Sequence, residues 1–287
     1  MSWFFFSLIS ITALATAEVL QQRILNKNKM SETLSTVLTF GLQSLFSLAI
    51  IFIVGYSSQL FSILNKEVFP YFIASTILAT YGTLFYFKSF KVKNISISAI
   101  FTSFSAVVST SLGILMLGES TNMWKYVGIG LVLTAIIILN INNVRLEKNH
   151  FYGLLAGIFF GSTFVFDKLI VTNDIHPIVY LFWSFTIIAL IIYLFNLKDI
   201  KKGFTKTKIR HLKPIFISGV GYLLYNLCTF MAYSVGGEVG KVDAINNSQI
   251  FLIIVFEYLI LKQKEDVVRK IVTAIIAFTG VLILGYL

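Results

Sequence analysis

Charged side chains are scarce in this sequence: they make up 13% of its 287 residues, about half the share of a soluble domain. Too few are present to cover a water-facing surface, so a soluble globular protein is excluded. Cysteine occurs once, as Cys228, which excludes an internal disulfide and any multi-cysteine metal site. The only prolines, Pro70, Pro177 and Pro214, stand at or near the starts of apolar runs, where a missing N–H costs nothing. No proline interrupts a run, so a kink must come from glycine or a polar side chain. The three histidines, His150, His176 and His211, fall between runs, which argues against a buried histidine metal site. No phosphate loop, nucleophile elbow or HExxH occurs. The expectation is no cofactor, no metal and no enzymatic activity.

Apolar residues are abundant: 57% of the chain is hydrophobic and the mean hydropathy is +0.85. Ten apolar runs can be marked, at 3–25, 33–56, 68–88, 95–117, 124–141, 151–172, 176–196, 214–234, 242–261 and 267–286. Runs near 20 residues match a hydrocarbon layer of about 30 Å. In lipid every backbone polar group must be paired internally, so such runs are helices. The fold class is an all-α integral membrane protein with ten transmembrane helices. Ala15-Thr16-Ala17 in the first run resembles a leader-peptide cleavage site. However, no basic residue precedes it and the run continues past Glu18 to Leu25, so a spanning helix is expected.

The net charge of +10 would suit nucleic acid only if it were clustered on a soluble face. Instead, the basic residues lie in short connections, and no nucleic-acid partner is expected. Nineteen of the 23 Lys and Arg residues follow the odd-numbered runs; the exceptions are Lys66, Lys125, Lys168 and Lys241. Positive connections stay in the cytoplasm, which predicts cytoplasmic odd-numbered connections in the cell membrane and both termini outside.

The polar segment at 142–150 divides the runs five and five. The expected domains are a first five-helix repeat at 1–141, a linker at 142–150 and a second repeat at 151–287. The stretch ISAIFTSFSAVVSTSLGILMLGES at 97–120 is echoed by VDAINNSQIFLIIVFEYLILKQKE at 242–265. Because five is odd, the two repeats enter the membrane in opposite directions. Such inverted pairs place a substrate site between the repeats near the midplane.

With GES at 118–120, QKE at 263–265 and FGSTFVFDK at 160–168, the chain resembles the drug/metabolite transporter superfamily, and within it the EamA-like proteins. The resemblance spans essentially all ten helices. It implies a ten-helix carrier of small metabolites, commonly an exporter. Members often carry a proline in the fourth helix of each repeat; Ala106 and Ile250 stand there instead.

Ionisable groups within lipid usually face a wet cavity or a partner. Glu18 lies in the first run, where it is placed either to exchange a proton with a cavity or to pair with Gln22 one turn on. Asp167 occupies the corresponding place in the sixth run. Lys168, its neighbour, points about 100° away and either lines the cavity or snorkels outward. Ser98, Thr102, Ser105 and Ser109 share one helical face. Ser98, Ser109 and Thr110 read as helix-packing hydroxyls, whereas Thr102 and Ser105 are substrate candidates. In the second copy Asp243 and Asn247 match Ser98 and Thr102. Asn246, Asn247 and Gln249 carry amides that need partners or water, so they are expected to line the cavity. Tyr222, Tyr225 and Asn226 lie close to one face of the eighth run, and Trp183 is deep enough to supply a stacking wall. Glu119 and Glu265 read as punctuation at helix ends, and Glu257 as a group that either pairs with a basic residue or snorkels toward Lys262.

These features predict a secondary active transporter, expected to be an exporter of a small-molecule metabolite by alternating access, with a proton as candidate coupling ion and the bilayer as its setting. A flippase for a lipid-linked intermediate and a non-transporting structural or receptor protein are the alternatives.

Overall fold

A computed structural model describes residues 3–27, 30–119, 122–141, 147–206, 212–262 and 266–286. The first half contains α1 (Trp3–Asn26), α2 (Glu32–Val54), α3 (Phe69–Ser89), α4 (Ile95–Thr102), α5 (Phe104–Leu117) and α6 (Met123–Ile141). The second contains α7 (Phe151–Val171), α8 (Pro177–Phe195), α9 (Leu197–Lys206), α10 (Leu212–Ser234), α11 (Val239–Asn247), α12 (Gln249–Leu259) and α13 (Val267–Tyr286). Seven spans among the described residues pass on length and apolarity, with α4–α5 and α11–α12 each counting as one span. An eighth passes if the turns at Tyr56–Leu64 are joined to α3 across an 87° bend. With α6 and α13, these are the ten helices of an all-α, inverted-repeat membrane fold.

Local chemistry sets the ends. The Ser31 hydroxyl accepts from Leu34 N–H at 3.3 Å at the start of α2, filling one of the unpaired first-turn positions. Each proline falls within the first three residues of its helix, in α3, α8 or α10. The basic connection at 197–213 contains α9. Leu197, Ile200 and Phe204 recur at steps of three and four, and buried Ile200 packs in a small cluster with Leu34 and Met30. That spacing is helical, and Lys198, Lys201 and Lys202 face outward.

The fourth and ninth runs are both broken, at Ser103 and at Ser248. These residues lie at matching places in the two copies. After each break the backbone tightens to three-residue bonds: Ala106 N–H donates to Ser103 C=O at 3.0 Å and Phe251 N–H to Ser248 C=O at 3.2 Å. The Ser103 hydroxyl adds a bond to Ile100 C=O at 2.6 Å. Side-chain bonding of this kind bends helices, so serine produces here the irregularity for which proline is the usual agent.

Packing between the halves repeats itself when the halves are exchanged. α1 lies along α10 and α7 along α3, while α2 pairs with α8 and α6 with α13. α7 also packs on α4 and α5, as α1 packs on α11 and α12. Gly153, Gly157 and Gly161 permit the first of these contacts. A Cβ on them would stand 2.8, 2.7 and 2.6 Å from the backbone oxygens of Ser98, Thr102 and Ser105. The hydroxyl stripe of the fourth run is therefore first a surface of close helix approach.

α5 ends where Gly118 adopts φ 64°, a conformation that penalises a side chain. The turn folds Glu119 back over Gly113, where a Cβ would be 2.6 Å from Glu119 Oε2. Gly118→Ala is expected to cost about 1 kcal/mol, lowering the unfolding midpoint in detergent by a few degrees.

Candidate functional site

A cavity of about 110 Å³ lies between the two repeats at the helix breaks. Thr102 and Ser105 border it beside Ser103, and Asn247 and Gln249 border it beside Ser248. Broken helices facing each other between inverted repeats are the arrangement that exposes polar groups in mid-membrane.

The structure brings together Thr102, Ser105, Asp167, Tyr222, Tyr225, Asn226, Asn246, Asn247 and Gln249 in this lining. Three candidates lie elsewhere. Glu18 sits behind Gln249, whose Nε2 donates to Glu18 Oε1 at 3.2 Å. It does not pair with Gln22, which instead donates to Val92 C=O at 2.9 Å. Lys168 points away from the cavity and binds Glu119 Oε1 at 3.0 Å. Trp183 is outside the lining: its indole N–H donates to Leu60 C=O at 2.7 Å, against Phe61 and Phe182. The apolar connection around residues 56–64 folds back onto it, which the depth of Trp183 in its run did not reveal.

Two carboxyls reach the cavity wall. Asp167, in the cavity lining, accepts on Oδ1 from the Ser75 hydroxyl at 2.6 Å and from Tyr180. Asp243 was matched in the sequence to a packing serine. It accepts from Ser105 at 3.0 Å, Ser109 at 3.1 Å and Asn247 at 3.0 Å. Asp243 therefore ties α11 to α5 of the other repeat, and Ser109 serves that tie as well as packing. The sequence signal for Asp243 was its neighbours, Asn246 and Asn247, one turn away.

Polar partners surround the remaining lining. Asn246 bonds Ser10 of α1 through its carbonyl and donates to Thr229 at 3.0 Å. Asn226 donates to Tyr222 C=O at 2.8 Å, and Thr102 to Ser98 C=O at 2.9 Å. Glu18 Oε2, Gln249 Oε1 and the Tyr222 hydroxyl are buried without a hydrogen-bond partner among the described residues. A proton on Glu18 Oε2 would turn one of these acceptors into a donor, which a carboxamide at the same place could do only with its NH₂.

Outside the cavity, Glu257 pairs not with Lys262 but with Lys270, at 3.1 Å. His150, expected between runs, is buried just before α7. Its Nδ1 accepts from Glu147 N–H at 2.8 Å, and its Nε2 bonds Asn94 C=O at 3.2 Å. Glu265, the rest of QKE, and His211 lie outside the described residues. Among the described residues no cluster of three His, Cys, Asp or Glu side chains could hold a metal ion.

The EamA-like transporter family model matches residues 1–141 and again residues 148–286. The chain belongs to the EamA-like transporter family. It is thus a membrane transporter, not an enzyme, and a member of the drug/metabolite transporter superfamily. A stretch of 71 residues is 28% identical to the quaternary ammonium compound-resistance protein QacE of Escherichia coli. That match covers 24% of the EamA-like chain and 64% of QacE, less than two thirds of that relative. A solved crystal structure superposes with TM-score 0.68 at 12% identity, covering 98% of this transporter and 95% of that chain; at that identity the two share a fold.

Proposed function

We propose that this EamA-like transporter is a secondary carrier that exports a small, amine-bearing or otherwise positively charged metabolite in exchange for protons. The observation that carries this reading is the composition of the cavity wall. It holds Asp167 and Asp243, amides and tyrosines, and among the described lining residues no Lys, Arg or His. Such a wall attracts a cation, accommodates a neutral polar solute, and repels an anion. The name of QacE, which refers to quaternary ammonium compounds, points in the same direction. A cavity of about 110 Å³ suits a compact solute or a group of waters; a lipid-linked cargo has no comparable support.

Glu18 and Asp167 are the proposed proton-exchanging groups. They lie at near-equivalent places in the two repeats, on α1 and on α7. Asp167 meets the solute directly, while Glu18 communicates with it through Gln249. Rocking of one repeat against the other then exposes the cavity alternately to the two faces. The excess of Lys and Arg in odd-numbered connections supports cytoplasmic placement of those connections.

The test uses purified protein in liposomes with a trapped pH dye, challenged with separate pools of amines, amino acids, nucleosides, sugars and organic acids. The expected result is proton movement with the amine pool and none with organic acids. Asp167→Asn and Glu18→Gln should each reduce it at least tenfold, as loss of an essential proton-transfer group does. Folded wild-type protein that moves no protons with any pool overturns the coupling, and a preference for organic acids overturns the charge assignment.

A further inference from the structure

Two cross-repeat ion clusters bracket the cavity at its opposite ends. At one end Glu119, at the close of α5, accepts from Lys168 of α7 and from the N–H of Val239, the first residue of α11, both at 3.0 Å. At the other, Glu257 of α12 accepts from the Ser96 N–H, in the first turn of α4, at 2.9 Å and from the Ser96 hydroxyl at 2.6 Å. Lys270 completes that cluster, reaching Glu257 at 3.1 Å and Asn94 Oδ1 at 2.9 Å. In each, a carboxylate from the end of one repeat's broken helix caps the start of the other repeat's broken helix. A helix N-terminus favours an anion, and the lysine balances its charge.

Inversion of the repeats puts the starts of α4 and α11 at opposite membrane faces. Opening the cavity to either face must part the ends that the cluster there holds together. We infer that Glu119 and Glu257 are the positioning residues of two latches, one per face, whose alternate release sets the direction in which the cavity opens. This rests on the alternating-access reading above. It gives a physical role to the ending of α5: the glutamate after Gly118 is held in place by the turn and by the absence of a side chain at Gly113.

The experiment reads the sidedness of the cavity without substrate. Thr102→Cys, in a Cys228→Ser background, is labelled with a membrane-impermeant thiol reagent from each face of oriented vesicles. Glu257→Gln is expected to raise labelling from the Glu257 face roughly tenfold and lower it from the other; Glu119→Gln is expected to do the reverse. Should Glu257→Gln fail to give monodisperse protein, the neutral pair Glu257→Gln, Lys270→Met replaces it, and Gly113→Ala displaces Glu119 without touching its charge. Folded variants that keep the wild-type sidedness, or that shift it in the same direction, overturn the latches. If wild type is labelled from both faces and neither variant shifts, the carrier reading survives that failure. Labelling from one face alone in every variant, together with silent liposomes, overturns both.

Discussion

Gly161→Leu is expected to yield no folded transporter. Its Cβ alone would stand 2.6 Å from the Ser105 carbonyl oxygen and 2.7 Å from Val108 Cβ, so α7 must move bodily away from α5. The neighbouring turns leave no relief, because Gly157 and Gly153 meet the backbone of Thr102 and Ser98 at similar distances. Overpacking a tight interface ordinarily costs about 1–3 kcal/mol. Here the clash falls on backbone, and the helices it separates also hold the cavity wall. Size-exclusion in detergent should show loss of the monodisperse peak. Gly41→Leu is the control: among the described residues nothing beyond its chain neighbours and its own helix backbone lies within 4 Å of a Cβ built there, and the peak should remain. A monodisperse, transport-active Gly161→Leu protein would show that α7 and α5 are not in this contact.

Lys270→Met is the second substitution with a large expected effect. Lys270 and Glu257 are 2% and 1% exposed, so removing the cation leaves a buried carboxylate whose remaining donor among the described residues is Ser96. Breaking a buried pair from one side costs about 3–5 kcal/mol, whereas replacing both charges is far milder. The ranking is therefore the diagnostic: Lys270→Met should unfold well below wild type, and Lys270→Met combined with Glu257→Gln should recover much of the difference. Thermal unfolding of the three proteins in one detergent measures it. A double variant as unstable as the single would show that Lys270 acts through packing of its aliphatic stem rather than through its charge.

Asp243 shows why part of the site was not visible beforehand. In the sequence it falls at the start of the ninth run and is matched to a serine in the first copy. Helix α11 begins earlier, at Val239, and nearly every residue along it is buried. A helix buried on all sides carries no amphipathic rhythm to say which face matters. The same holds for α4, where every residue from Ile95 to Phe101 is buried. By contrast, Asn246, Asn247 and Gln249 were legible because amides in lipid demand partners whichever way they point. Glu18 was legible as an ionisable group at depth, but its place outside the cavity lining was not. The residue that screens it, Gln249, lies 231 positions away.

Composition and periodicity by themselves determined the membrane setting, the number of helices and the inverted duplication. Those follow from local requirements: a helix must pair its own backbone in lipid, and an odd number of crossings reverses the direction of the second copy. Even the positions of the helix ends came close to the apolar runs, because Ser31, Gly118 and the three prolines act on their nearest neighbours. Tertiary structure alone decided which polar groups meet. It placed Lys168 on Glu119 instead of in the cavity, took Trp183 to the Leu60 carbonyl, joined Asp243 to Ser105 and Ser109, and drew Glu257 to Lys270. Each of these pairs spans a distance along the chain that no helical period encodes, and each exists because desolvated charge and amide groups in lipid take whatever partner the packing of the two repeats brings within reach.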